Sequence, residues 1–180
     1  SVVLPKPITI LYAGNMGEGQ GLHLIVPLLA KRLEGQVRFK LIGDGGRKQQ
    51  LATALTMANC QNVELLPPMW REQLIHEYQQ ADVLFLHLND YDAFRKVLPS
   101  KIFEYAAMGK PILAGVAGYP AEFIKTEINN AAVFYPCNVL DAEAVYATLV
   151  LETQPRKKFI KKYARDHIMR AMADDILSLL

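Results

Sequence analysis

Ser100, Lys101 and Glu104 open a short helical stretch in PSKIFEYAAMGKPILAG, with Pro99 immediately ahead of them. Pro99 is pre-shaped for a helix entry, and Ser100 can serve as a cap or first-turn residue. Lys101 stands where a cation opposes the helix dipole unless an anion is present. Glu104 follows three residues later, so the two side chains project from nearby sides of the helix. Two readings stay open. One is a surface ion pair worth ~0.3–0.5 kcal/mol. The other is a clamp in which Glu104 accepts from two sugar hydroxyls while Lys101 meets a phosphate.

Two glycine-rich stretches offer anion chemistry of their own. AGNMGEGQG places Gly14, Gly17, Gly19 and Gly21 directly after an apolar run and before a helical one. Such a turn lets the backbone approach a bulky anion at the positive end of a helix. Its spacing is not G-x-G-x-x-G, and the Walker lysine pattern is missing. A ligand-free flexible connector is the alternative. IGDGGRKQQL has the same shape, with Gly43, Gly45 and Gly46 in the turn. Arg47 and Lys48 then open a helix, either solvated or with one of them facing a phosphate.

Other residues carry weaker signals. Glu122 starts a helix, where a carboxylate suits the dipole. Asp90, Asp92, Arg95 and Lys96 crowd one loop. Met69 and Trp70 can flank a flat ring or anchor a loop. His23, His76, His87 and His167 have no metal-ligand spacing, and His87, near the end of an apolar run, reads as a satisfied buried histidine. Cys60 and Cys137 are too few for a disulfide framework, so a reduced, cytosolic setting is expected.

Alternating strands and helices must position these groups. Strands are expected at Ile8–Ala13, Val37–Gly43, Asn62–Leu66, Asp82–Leu88, within KPILAG and within AAVFYP. Between them lie helical segments at Gly21–Leu33 (kinked at Pro27), after Gly46, at Glu72–Gln80, after Pro99 and within YPAEFIKTE. A further helix is expected over Asp141–Glu152, capped by Asp141, and a long amphipathic one after Pro155. The pattern predicts an α/β fold, a doubly wound, Rossmann-like parallel sheet with helices on both faces. Ligands of such sheets bind beyond the carboxyl ends of the strands. Those ends are the loops Ala13–Gly21, Gly43–Arg47, Pro67–Arg71, Asn89–Lys101 and Gly115–Glu122.

The totals agree. In 180 residues, 51% are hydrophobic and 21% charged, which is globular and enough for one domain with a real core. A formal charge of +2 argues against a dedicated nucleic-acid binder. No signal peptide and no apolar run of membrane-spanning length is visible. The lead VVLPKP reads as a linker into a domain, so residues 1–7 are expected to follow a missing amino-terminal domain. Residues 8–153 would then form the Rossmann-like domain and 154–180 a carboxyl-terminal helical segment. Its basic stretch RKKFIKKYARDH is either a solvated helix face or a contact for anionic membrane lipid.

Taken together, LYAGNMGEGQGL, LIGDGGRKQQL, NVELLPPMWREQL, ADVLFLHL and PSKIFEYAAMGKPILAG…GYPAEFI resemble the carboxyl-terminal half of a GT-B-fold retaining glycosyltransferase of the group 1 family. The resemblance covers most of Ile8–Pro136. It implies a nucleotide-sugar-binding half whose acceptor-binding partner domain is missing, so the chain alone is expected to be inactive. Glu104 matches the second glutamate of the family's E-x7-E motif, which implies ribose binding. The first glutamate falls at Lys96. Asn15 and Gln20 stand where the family commonly has Arg and Lys, which leaves diphosphate neutralisation to backbone N–H groups of Gly14–Gly17, to Arg47 and to Lys101.

The resemblance thus implies Lys101 as the catalytic cation. It implies nucleotide-sugar contacts at Gly14, Asn15, Gly17, Gln20, Gly43, Arg47, Met69, Pro99, Ser100 and Glu104, with the base near Pro68–Met69. The donor would be a UDP-sugar, with no metal and no further cofactor. The variant pattern is similar to bacterial transferases that build surface polysaccharide or lipopolysaccharide O-antigen, often from fucosamine-type sugars. A cytoplasmic enzyme at the inner face of the inner membrane, meeting a lipid-linked acceptor, follows from that. Two other readings compete: a non-catalytic flavodoxin-like binding module, and a UDP-sugar epimerase relative of the same architecture.

Overall fold

A strand buried on both faces needs apolar side chains at consecutive positions. Val83–His87 (β4) is buried at all five positions, apolar at the first four, and lies at the centre of the sheet. The structure, a computed structural model, describes residues 5–164. Beside β4 runs Ile8–Ala13 (β1), and beyond it Val37–Ile42 (β2) and Val63–Leu66 (β3). On the other side lie Ile112–Gly115 (β5) and Ala131–Phe134 (β6). The order is β3-β2-β1-β4-β5-β6, and every pairing is parallel. The chain winds outward from β1 in one direction and from β4 in the other. The switch point between β1 and β4 is where ligands bind in sheets of this kind.

Helices cover both faces. Leu22–Arg32 (α1), Lys48–Met57 (α2) and Val139–Tyr146 (α6) share one apolar core with the inward side chains of β1, β2 and β4. Arg71–Gln80 (α3), Lys101–Ala107 (α4), Tyr119–Glu127 (α5) and Lys157–Tyr163 (α7) enclose the other. α1 continues past Pro27, which is buried. A short 3-10 turn, Asp92–Arg95, precedes α4. No helix among the described residues is long and apolar enough to cross a membrane.

Two expectations change. The sixth helix starts two residues earlier and ends six earlier than Asp141–Glu152, and its cap is Asn138. The Asn138 side chain accepts from the Asp141 N–H at 3.0 Å, while the Asp141 carboxylate accepts from the Tyr135 N–H at 2.7 Å. Both residues are good capping types, and the one with a free first-turn N–H three positions ahead takes the role. Only the first two turns of the predicted terminal helix, α7, are described; residues 165–180 lie outside the described residues. Phe159 of α7 is buried among Phe103, Phe123 and Tyr163, so this part of the basic stretch is packed onto the sheet domain.

Candidate functional site

Gly14 and Gly43 bring the ends of β1 and β2 into contact. A Cβ on Gly43 would sit 1.8 Å from the Gly14 carbonyl oxygen, and its φ of +145° is one that side chains avoid. With no side chain in the way, the two loops pair through their backbones. Gly14 N–H donates to Ile42 C=O at 2.9 Å, Met16 N–H to Asp44 C=O at 2.8 Å, and Arg47 N–H to Met16 C=O at 2.9 Å.

A cavity of about 330 Å3 opens beside this junction at the carboxyl edge. Ala13, Gly14 and Asn15 form one wall, Ile42, Gly43 and Asp44 a second, Pro68, Met69 and Leu74 a third, and Lys101 closes it. Lys101 Nζ lies 3.1 Å from Glu104 Oε2 and 3.4 Å from the Tyr78 hydroxyl. Tyr78 OH is in turn 3.5 Å from the same carboxylate oxygen. Burial, the neighbouring Tyr105 and Glu104 all push the Tyr78 phenol far above its ordinary range, so it stays protonated. α4 is tied to the strand end by Tyr105, whose hydroxyl accepts from Ala13 N–H at 3.3 Å. The half-buried Lys101 therefore closes a mainly apolar hollow with its charge already paired to Glu104.

Of the residues singled out by sequence, Gly14, Asn15, Gly43, Met69 and Lys101 line the cavity, and Glu104 contacts Lys101. Gln20 Oε1 accepts from Asn15 Nδ2 at 3.2 Å and from Gly17 N–H at 3.1 Å, drawing these three residues together. Arg47 stands off the cavity, 3.6 Å from Glu18 and bonded to Gln50. Lys48 spans the ends of β2 and β3, donating to Gly43 C=O at 2.7 Å and Leu66 C=O at 3.1 Å. Pro99 and Ser100 precede α4 outside the lining. Ser100 makes no side-chain cap bond; it sits in helical conformation, where its hydroxyl is not aimed at the first-turn N–H groups.

Within the first glycine loop the N–H groups of Gly14 and Met16 are engaged by loop pairing and that of Gly17 by Gln20. Trp70 is 84% exposed and outside the lining, so only Met69 reaches the hollow. Arg95 donates to Asp90 and to the Tyr135 hydroxyl, both at 2.6 Å, in a separate exposed cluster. Glu122 is exposed in the first turn of α5.

His87 and Asn89 matter more than their sequence suggests. His87 is fully buried, stacked with Phe85 and Phe134. Its Nε2 accepts from Cys137 N–H at 2.9 Å, so Nδ1 carries the proton and donates to Gln20 C=O at 2.7 Å. Burial pushes its pKa down to about 4. Tyr78 and Asn89 were missed altogether. Tyr78 reads as an ordinary apolar-face aromatic of α3, and only the polar pair Asn89–Asp90 after an apolar strand hinted at the second.

A larger hollow of about 500 Å3 lies at the opposite, amino end of the strands, between Lys125–Asn129 and Pro155–Phe159. The buried Arg156 beside it is committed to four backbone carbonyls, those of Ala106, Lys110, Asn129 and Asn130. None of the five carboxyl-end loops reaches it.

The model of the glycosyl transferases group 1 family matches residues 2–167. WcaI of Escherichia coli (strain K12), a protein named for glycosyl transfer in colanic acid biosynthesis, is 29% identical over 100 residues, 56% of this chain and 24% of WcaI. A point mutant of S. aureus TarM, crystallised with fondaparinux, α-GlcNAc-glycerol and UDP, superposes with a TM-score of 0.69 at 18% identity, covering 97% of this chain and 36% of TarM. Anabaena HepE in complex with UDP-glucose gives 0.70 at 17% identity, over 96% of this chain and 49% of HepE. At such identities the structural likeness speaks for the fold. The chain spans half or less of each of these proteins.

Proposed function

Because this chain belongs to the glycosyl transferases group 1 family, we propose that it is the donor-binding half of a retaining GT-B transferase that takes a sugar from UDP. The observation that carries this reading is the Lys101–Glu104 pair, 3.1 Å apart, whose lysine lines the carboxyl-edge cavity beside β1 and β2. A ribose diol entering the hollow can replace Lys101 as the partner of Glu104, since an ionised carboxylate accepts hydrogen bonds from both hydroxyls. Lys101, released, can turn to the diphosphate. There a fixed cation stabilises the charge that develops on the leaving group. Met69 and Pro68 supply an apolar wall for the uracil. The complexes of HepE with UDP-glucose and of TarM with UDP support this choice of nucleotide.

In this reading residues 1–7 lead from an acceptor-binding half, 8–153 hold the donor, and 154–180 form the carboxyl-terminal segment. The acceptor is a lipid-linked surface polysaccharide precursor at the cytoplasmic face of a bacterial inner membrane, in keeping with what WcaI is named for. Transfer needs both halves, so this chain alone binds donor without turning it over.

Calorimetric titration with UDP, GDP and dTDP tests the proposal. UDP should bind this chain best, and Glu104→Ala should weaken UDP by tenfold or more, about 1.4 kcal/mol. Equal affinity of the folded variant and the unaltered chain for UDP would remove Glu104 from the site.

A further inference from the structure

Three consecutive carbonyl groups of the first glycine loop are drawn down onto the end of β4. Glu18 C=O accepts from Asn89 Nδ2 at 3.0 Å, Gly19 C=O from the Asn89 N–H at 2.8 Å, and Gln20 C=O from His87 Nδ1 at 2.7 Å. All three donors come from a single short stretch, His87-Leu88-Asn89, and the His87 and Asn89 side chains are more than nine-tenths buried. The peptide bonds here are trans. In a trans peptide the N–H of one residue points opposite to the C=O of the residue before it. With the carbonyls of Glu18 and Gly19 held down, the N–H groups of Gly19 and Gln20 therefore point up, away from β4 and out of the carboxyl edge.

We infer that His87 and Asn89 are positioning residues that aim the Gly19 and Gln20 N–H groups at the diphosphate of the donor. This rests on the donor-binding reading above and adds the donors that the occupied N–H groups of Gly14, Met16 and Gly17 cannot supply.

The surroundings hold the anchor in one arrangement. A Cβ on Gly115 would come within 2.4 Å of the His87 ring, and one on Gly21 within 3.3 Å. The end of β5 and the start of α1 thus leave only the room the imidazole takes. Cys137 adopts φ +66°, unusual for a residue with a side chain, and in doing so delivers its N–H to His87 Nε2. That bond leaves Nδ1 as the only ring nitrogen able to donate to the loop. Asn89 Oδ1 is occupied in its turn by the Asp90 N–H at 2.9 Å, which orients Nδ2 toward Glu18.

Asn89→Asp keeps the shape of the side chain but puts an acceptor against the Glu18 carbonyl. Nitrogen-15 NMR titrations of this chain and the variant with UDP and with uridine read the consequence. The variant should lose tenfold or more in UDP affinity and twofold or less in uridine affinity, because only the diphosphate uses the aimed donors. Equal losses for both ligands, or no loss in a folded variant, overturn the inference and leave the donor site standing. If the variant does not fold, the unaltered chain still decides. Its Gly19 and Gln20 amide signals should move with UDP and stay put with uridine, and their indifference to UDP is the contrary result. An unaltered chain that binds no UDP overturns the functional reading and this inference with it.

Discussion

His87 carries a titratable ring in a closed, largely aromatic space. Its pKa is about 4 in the folded protein, set first by burial and lowered further by His23, while the Gln20 carbonyl pulls the other way. In the unfolded chain an imidazole titrates near 6.5. The unfolded state therefore binds the proton first, and stability falls as the pH drops. The contribution is complete above about pH 6.5, declines by up to about 1.4 kcal/mol per pH unit, and levels off near pH 4, for a total of roughly 3 kcal/mol. His23, also lowered by burial, adds to the same slope. Urea unfolding of the chain and of His87→Gln at pH 7, 6, 5 and 4.5 measures it. The variant should be less stable at pH 7 and lose less on acidification, and parallel curves would show that His87 is not the titrating group.

Arg156 decides how the last elements attach. Its guanidinium is buried and donates to carbonyls at the end of α4 and at the approaches to β5 and β6. Burial lowers its pKa to about 10, which leaves it charged at neutral pH. The sequence places it in a basic run and reads it as solvated or lipid-facing; the contact that buries it lies as far away as Ala106. Removing it strands the Lys110 and Asn129 carbonyl oxygens, each costing on the order of 1 kcal/mol or more when buried without a donor, and leaves those of Ala106 and Asn130 with backbone donors alone. Arg156→Ala should lose about 2 kcal/mol or more, a drop in Tm of roughly 6 °C for a chain of this size. Arg156→Lys should recover only part of this, because one ammonium cannot span the set that a planar guanidinium spans. A thermal melt unchanged in Arg156→Ala would mean that α7 packs independently of the clamp.

At the scale of the molecule, the basic stretch divides. Arg156 and Phe159 turn inward and Lys162 pairs with Glu127 at 2.9 Å, while Lys157, Lys158 and Lys161 stay exposed, with Lys125 on the adjoining end of α5. An anionic bilayer gains about 1 kcal/mol for each such lysine held near its surface. The chain should therefore sediment with vesicles containing anionic lipid, less with neutral ones, and release at high salt. Equal pelleting with both kinds of vesicle would end the membrane part of the functional proposal.

The fold was legible from the chain because its cause is local. Apolar runs such as Asp82–Leu88 and turn residues such as Gly43–Gly46 mark strands and strand ends wherever they occur, and their alternation leaves few arrangements other than a parallel sheet. Half of the candidate site followed for the same reason. Lys101 and Glu104 meet through helical spacing alone, and a glycine turn after a strand marks a place where backbone comes close. What surrounds them was decided by contacts between residues far apart in sequence. Arg47 and Lys48 are neighbours of like charge, yet one pairs with Glu18 and the other ties two strand ends together. Tyr78 joins the Lys101–Glu104 pair from α3, and Asn89 holds a loop 71 residues earlier. Hydrogen bonds choose partners by direction and distance in space, and only packing the two layers of helices onto the sheet sets those directions.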